Sequence, residues 1–282
     1  LMWKSASCAK KTCSSACRPT LPETAPPPAP QVAPAPLAPP HLSAAQQRRF
    51  IADAPCAVHF DDATRALYAT DASIYQVHPA GVALPRTPGE TAQMVALAAA
   101  YGLPVTPRGA GTGLAGAALG SGLVVDCARH QRSVRWIERE AQTAYVEPGV
   151  VLDQLNRAAA EQGLCFGPDV ATSSRATLGG MIANNSSGAR VPYYGVTIDH
   201  VRAVDVVLAD GRAARLTADG GDLGTLAREI AALLDPYASR IAEQMHAGVI
   251  KRWPGYGIDR YLRDGHDLTR VLGGSEGTLA LI

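Results

Sequence analysis

Hydrophobic and polar positions change period several times along the chain, and each change marks an element. Residues 43–54, "SAAQQRRFIADA", carry a helical pattern that opens on Ser43, a residue suited to the N-cap. Residues 89–102, "GETAQMVALAAAYG", set Met94, Val95, Leu97 and Ala98 at helical spacing and end on Gly102. "LPVTP" then reads as a short buried strand and, beyond a glycine-rich loop, "GLVVDC" as another. "SVRWIERE" and "TAYVEPG" alternate around Val134, Trp136, Tyr145 and Val146, which predicts a strand pair. "VVLDQLNRAAAEQG" predicts a helix. "VRAVDVVLADGRAARL" predicts a hairpin turning at Asp210–Gly211. Residues 221–245 are helical in pattern, with a break expected at Pro236. Strands and helices intermix without a regular βαβα repeat, so the fold class is α+β.

Residues 1–42 differ. Between Pro19 and Pro40 nearly every second residue is proline, which fixes its own φ and lacks an N–H. This Pro/Ala-rich stretch is expected to be a disordered, extended tail and linker. The ordered domain is expected over 43–282. The chain starts at Leu1 and stops in "GGSEGTLALI", as a strand begins, so both ends read as cut from something longer.

Composition removes several function classes. With 26 basic and 25 acidic residues the formal net charge is +1, which gives no case for nucleic-acid or membrane-surface binding. Apolar runs fall short of the ~18 residues a transmembrane helix needs, and no secretory signal is read at the start. Cys8, Cys13 and Cys17 cluster near the start, while Cys56, Cys127 and Cys165 are scattered. CxxC spacing is absent, so reduced thiols in a cytoplasmic protein are expected, and no metal site. His59, His78, His130, His246 and His266 form no cluster at ligand spacing, and GxSxG is absent.

The most informative stretch is "VTPRGAGTGLAGAALGSGLVVDC". Gly111 to Gly116 matches GxGxxG, but the dinucleotide-binding Rossmann unit requires a helix directly after the loop. Only "AALGSG" separates Gly116 from the next strand, so that geometry is rejected. Phosphate binding survives the rejection; the alternative is a flexible surface loop, which the loop's place between two apolar strands disfavours. Successive glycines reach positive φ and turn backbone N–H groups into a concave nest that holds a pyrophosphate with little side-chain charge. Arg108 stands at the mouth of this loop, either adding charge or pairing elsewhere. A second glycine-rich stretch runs from Gly167 to Val201. Its Gly179–Gly180 pair permits close backbone approach, and Asn184, Asn185, Ser186, Ser187 and Gly188 make a small polar cluster suited to hydrogen-bonding the edge of a planar heterocycle; the alternative is a plain Asn/Ser/Gly turn, which the length of this polar connection disfavours. In "TIDHV", His200 is the one candidate general base, although a structural hydrogen bond is the commoner role at such a place.

In order, "YATDASIYQVHPAGVALPRTPGE", "PRGAGTGLAG", "PDVATSSRATLGGMIANNSSGARVPYYGVTIDHV", "KRWPGYGIDRYL" and "LGGSEGTLALI" resemble the FAD-linked oxidases of the vanillyl-alcohol-oxidase type. The likeness is strongest to the D-lactate, glycolate and D-2-hydroxyglutarate dehydrogenases, and covers about residues 47–282. It implies a two-subdomain FAD-binding fold of the PCMH type. It implies that Arg108, Gly109, Ala110, Gly111, Thr112 and Gly113 wrap the pyrophosphate, and that Pro168, Asp169, Thr177, Gly179 and Gly180 line the stretch from flavin to phosphate. It sets Asn184, Ser187 and Gly188 near the ring system, Ile198 and Val201 near the adenine, and Ser275, Glu276 and Gly277 in a closing motif. Some relatives bind flavin covalently through a histidine; that slot looks like Thr112 here, so non-covalent FAD is expected. Family members also possess a C-terminal domain that supplies substrate anchors and the base, and this chain stops before it; Lys251, Arg252 and Tyr256 are weak candidates to face substrate. The expected reaction is oxidation of a small 2-hydroxy acid by hydride transfer to FAD. The electron acceptor is left open, an iron–sulfur domain or subunit among the options, and the location is cytoplasmic or peripheral to the inner membrane. The alternatives are an FAD-binding module without turnover on its own, and a different oxidase or reductase on the same scaffold.

Overall fold

A computed structural model of the chain describes residues 42–245 and 255–282. The expected tail up to His41, and Cys8, Cys13, Cys17, His246, Lys251 and Arg252, lie outside the described residues.

Helix α1 (Ala44–Asp53) starts where the sequence places it: Ser43 and Gln46 form a reciprocal capping box. Strand β1 (Ala57–His59) and helix α2 (Asp62–Leu67) follow, the latter capped by Asp61. Strand β2 (Gly81–Leu84) leads into helix α3 (Pro88–Ala100), which has Thr87 as N-cap and Pro88 in its first turn. Gly102, at φ 66°, turns the chain out of α3 into strand β3 (Val105–Arg108) and then, past the glycine loop, β4 (Leu123–Asp126). These strands make one mixed sheet in the order β1-β2-β4-β3, with β2, β4 and β3 parallel and β1 antiparallel at the edge. Its core joins Phe50, Met94, Val95 and Ala98 to Ala83, Leu123 and Val125. Phe50 meets Phe60 and Tyr101 edge-on.

Strands β5 (Val134–Glu138) and β6 (Thr143–Val146) form the expected antiparallel pair, with a register shift between Val134 and Trp136. Helix α4 (Leu152–Ala160) packs Leu152 and Leu155 with Val150, Leu178 and Met181 into a second core. The stretch read as one long polar connection is partly helical. It contains α5 (Leu178–Ala183), α6 (Val191–Tyr194) and a 3-10 turn over Thr197–His200. Strands β7 (Ala203–Val207) and β8 (Ala213–Thr217) make the hairpin, with Gly211 at φ 84°. Helices α7 (Gly224–Leu234) and α8 (Ala238–Gln244) are separated at Asp235–Tyr237, around Pro236. Helices α9 (Ile258–Arg263) and α10 (Leu268–Leu272) pack Tyr261 and Leu272 against Val204 and Leu216 in a third core. Leu281 then pairs with Val207 through two backbone hydrogen bonds, at 2.8 and 2.9 Å. No helix among the described residues is long and apolar enough to cross a membrane.

Candidate functional site

Parallel strands β3 and β4 end on the same side of the sheet, the side where ligands gather in open parallel sheets. The loop after β3 and Cys127 after β4 share a cleft there of about 180 Å³. No helix follows the loop before β4. Arg108, Gly109, Ala110, Gly111, Thr112 and Gly113 all line the cleft. Gly111, at φ 66°, adopts a backbone conformation that L side chains rarely take. Its carbonyl accepts from the Ala72 amide at 2.9 Å, and the Arg108 carbonyl accepts from Cys127 at 3.1 Å. Among the described residues, the amides of Gly109 through Gly113 have no protein acceptor. Five successive unmatched donors on one cleft wall are the chemistry of an anion cradle.

More of the lining comes from the second glycine-rich stretch. Thr177, Gly179, Gly180 and Asn184 line the cleft, at the start and end of α5. The two stretches touch: a Cβ on Gly109 would overlap Thr177 Oγ1, and Thr177 is only 3% exposed. Gly179 is required for a second reason, since a Cβ there would lie 2.8 Å from Pro148 Cβ. Glu276 and Gly277 complete the lining. The Glu276 amide donates to the Ala183 carbonyl at 2.8 Å and Gly274 donates to Ile182 at 3.2 Å, so the closing motif caps the C-terminal end of α5. Glu276 holds φ 53°, an uncommon value for a residue with a side chain.

The Arg108 guanidinium is turned into the protein. It donates to the carbonyls of Thr70 (2.8 Å), Tyr68 (3.3 Å) and Ala118 (3.4 Å), and lies 5.3 Å from the Tyr68 ring centroid. Of the sequence candidates, Pro168, Asp169, Ser187, Gly188, Ile198, Val201 and Ser275 do not line the cleft. The Asp169 carboxylate accepts from the Arg190 amide and pairs with its guanidinium at 3.4 Å, closing over Gly188. Ile198 is fully buried against Gly273. Ser275 is 3% exposed, and its Oγ has no partner among the described residues. His200 donates from Nε2 to the Tyr194 carbonyl at 2.7 Å and tilts against Phe166, away from the cleft lining. Tyr256 bonds Thr278 at 2.8 Å.

Sequence reasoning missed Cys127, Pro148, Thr172, Ala176 and Ala280 in the lining. For Cys127 a signal existed, since it sits one residue past the C-terminal end of a parallel strand. Burial pushes its thiol up to about 12, with a smaller contribution from the Asp126 charge, so it remains protonated. Cys56, Cys127 and Cys165 are free thiols, and no group of metal-ligating side chains occurs among the described residues.

Residues 79–217 match the profile of a family described as FAD binding domain. The chain is 38% identical over 243 residues to D-2-hydroxyglutarate dehydrogenase of Escherichia coli K12, covering 78% of this chain and 23% of that protein. It is 33% identical over 228 residues to glycolate oxidase subunit GlcD of Bacillus subtilis 168, covering 79% of this chain and 40% of the relative. The chain thus spans about a quarter to two fifths of the length of these relatives. Among solved structures, an alkyldihydroxyacetonephosphate synthase superposes with a TM-score of 0.61 at 22% identity, covering 86% of this chain and 40% of that one. The xylooligosaccharide oxidase of Myceliophthora thermophila C1 superposes with a TM-score of 0.54 at 23% identity, covering 61% and 37%. These two likenesses show the fold alone: helices and strands arranged as in that synthase and that oxidase. A FAD binding domain therefore occupies residues 79–217 of the chain, and a D-2-hydroxyglutarate dehydrogenase and a glycolate oxidase subunit are among the proteins the chain is similar to.

Proposed function

We propose that residues 43–282 form one FAD-binding domain of the PCMH type, which holds FAD without a covalent bond and serves the oxidation of a small 2-hydroxy acid. The observation that carries the reading is the run of five amides, Gly109 to Gly113, without protein acceptors on a cleft wall. A diphosphate meets those donors without a large side-chain charge, in keeping with the chain's net charge of +1. Gly111 and Gly109 lack the Cβ atoms that would distort this wall. Thr177, Gly179, Gly180 and Asn184 line the same cleft and, with Glu276 and Gly277, keep water from the ligand's apolar parts. Pro168, Asp169, Ser187, Gly188, Ile198, Val201 and Ser275 then support these walls rather than line them. Thr112 offers no nucleophile of the kind that links flavin to protein, which favours non-covalent attachment.

When bound, FAD supplies the two-electron acceptor for the substrate's carbinol carbon. The relatives named D-2-hydroxyglutarate dehydrogenase, glycolate oxidase subunit and D-lactate dehydrogenase favour D-2-hydroxyglutarate, glycolate or D-lactate as substrate. The electron acceptor stays open, with an iron–sulfur domain or subunit among the options, and the place of action is the cytoplasm or the inner-membrane periphery. This reading gives the chain itself neither a nucleic-acid partner nor a metal.

A second reading is that the chain binds FAD without turning over substrate by itself. The cleft's size favours it: about 180 Å³ is below the roughly 300–1,000 Å³ of small-molecule sites, so these walls enclose part of a dinucleotide. The charge favours it too. Among the described lining residues the one basic side chain is Arg108, which spends three of its five N–H donors on carbonyls. Purified chain loaded with FAD, mixed anaerobically with each of the three acids, decides between the readings. Bleaching of the flavin by one acid supports the enzyme; yellow protein unreduced by all three supports the binding module. Colourless protein that takes up no FAD refutes both. Acid precipitation should leave all flavin in the supernatant, and colour in the pellet would refute non-covalent attachment.

A further inference from the structure

Segment 68–72 wraps the glycine loop with every second residue. Tyr68 and Thr70 present carbonyls to the Arg108 guanidinium, and Ala72 donates its amide to the Gly111 carbonyl at 2.9 Å. Behind this contact lies a second pair. Tyr68 donates its hydroxyl to Asp126 Oδ2 at 2.6 Å, across 58 residues of sequence. Asp126 is 7% exposed, and its Oδ1 accepts from the Ala128 and Arg129 amides at 2.7 and 3.1 Å. In the sheet register Arg108 stands opposite Asp126, with the Tyr68 ring against the guanidinium of one and its hydroxyl on the carboxylate of the other. Burial and the hydrogen bond to Asp126 both raise the Tyr68 hydroxyl above the usual tyrosine range, so it stays a donor. Tyr68 and Asp126 do not line the cleft.

We infer that Arg108 is a positioning residue which, with Tyr68 and Asp126, braces the amide loop from behind, and is not the counter-charge of the bound diphosphate. The inference rests on the FAD reading above and concerns how the cradle is held in shape. Three carbonyls from two separate segments converge on one planar cation, which fixes both segments relative to the loop at Gly111. The guanidinium Nη2 would lie 2.9 Å from a Cβ on Gly111, directly against the loop's turn. A lysine at 108 keeps the charge but has one ammonium on a flexible stem, which cannot meet three carbonyls in a fixed plane.

The test is FAD titration by flavin fluorescence on the wild-type chain, Tyr68→Phe, Arg108→Lys, Arg108→Met and the Tyr68→Phe/Arg108→Met double variant, each checked for folding by its thermal midpoint. The brace predicts that Tyr68→Phe weakens FAD binding about tenfold, the effect of losing one hydrogen bond to a charged group. It predicts that Arg108→Lys fails to rescue, losing about as much as Arg108→Met, and that the double variant loses less than the product of the single losses. Arg108→Lys at wild-type affinity beside a weak Arg108→Met would identify a counter-charge and overturn the inference. So would Tyr68→Phe at wild-type affinity, which remains decisive if the Arg108 variants do not fold. A wild-type chain that takes up no FAD overturns this inference and the cofactor reading together.

Discussion

Gly111→Val tests the cradle at its tightest point. Gly111 sits at φ 66°, where an L-residue costs about 1–2 kcal/mol, and more if β-branched. The new Cβ would lie 2.9 Å from Arg108 Nη2 and 3.5 Å from Asp71 Cβ. Ordinary contact is about 3.5–4.0 Å, so the guanidinium must retreat and release the Thr70 carbonyl it holds at 2.8 Å. A hydrogen bond to a charged group contributes about 1.5–3 kcal/mol, which brings the sum to about 2.5–5 kcal/mol. That sum divides between two observables. If the unbound loop stays in place, stability falls by about 2–4 °C in midpoint per kcal/mol for a domain of this size. If the unbound loop relaxes, stability is preserved and FAD affinity drops by roughly two to three and a half orders of magnitude. Calorimetry of the FAD-free protein and fluorescence titration with FAD measure the two parts, which should add up to the total. A variant with a wild-type midpoint and wild-type affinity would refute the reasoning.

Gly109→Ala should weaken FAD binding because its Cβ overlaps Thr177 Oγ1, and Thr177→Ala in the same chain should restore part of the loss; failure of that rescue in titration would remove Thr177 as the obstacle. Iodoacetamide at pH 8 should label the exposed Cys165 in folded protein but spare Cys127, which is buried with its thiol near 12; peptide mass mapping showing Cys127 labelled in the native state would contradict its burial. Asp61, Asp210 and Asp219 are held below the usual carboxylate range, Asp61 and Asp210 chiefly by backbone amides and Asp219 chiefly by the Thr217 hydroxyl. Their stabilisation is present above the unfolded value of about 3.9 and is lost as pH falls through the lower folded values, so the thermal midpoint should decline below about pH 4, and less steeply in Asp61→Asn.

Elements closed by local chemistry were legible in the sequence. Ser43 announces α1, Gly102 the end of α3, Asp210–Gly211 the second hairpin and Pro236 the break before α8. Helix α5 was not. It spans six residues, includes Gly179 and Gly180, and has no side-chain cap, so its propensity is poor. What holds it is distant: Leu178 and Met181 enter the second core, and amides of Gly274 and Glu276 satisfy its last carbonyls. The glycine loop was readable as a helix-free connection between two strands, because too few residues separate Gly116 from β4 for a helix. The partners of Arg108 were not, because backbone carbonyls exist at every residue and leave no mark in the sequence. Several candidates carried over from family motifs, such as Ile198 and Ser275, lie behind the wall and not on it.

A cradle built from main-chain dipoles has a consequence for selectivity in a crowded cell. Dipole fields fade faster with distance than those of whole charges, and mobile ions do little to weaken contacts made at hydrogen-bond range. Grip on a diphosphate should therefore vary little between dilute and concentrated salt. The same surface holds no long-range attraction for polyanions, so RNA and anionic lipid would not compete for it even where they far outnumber the intended ligand.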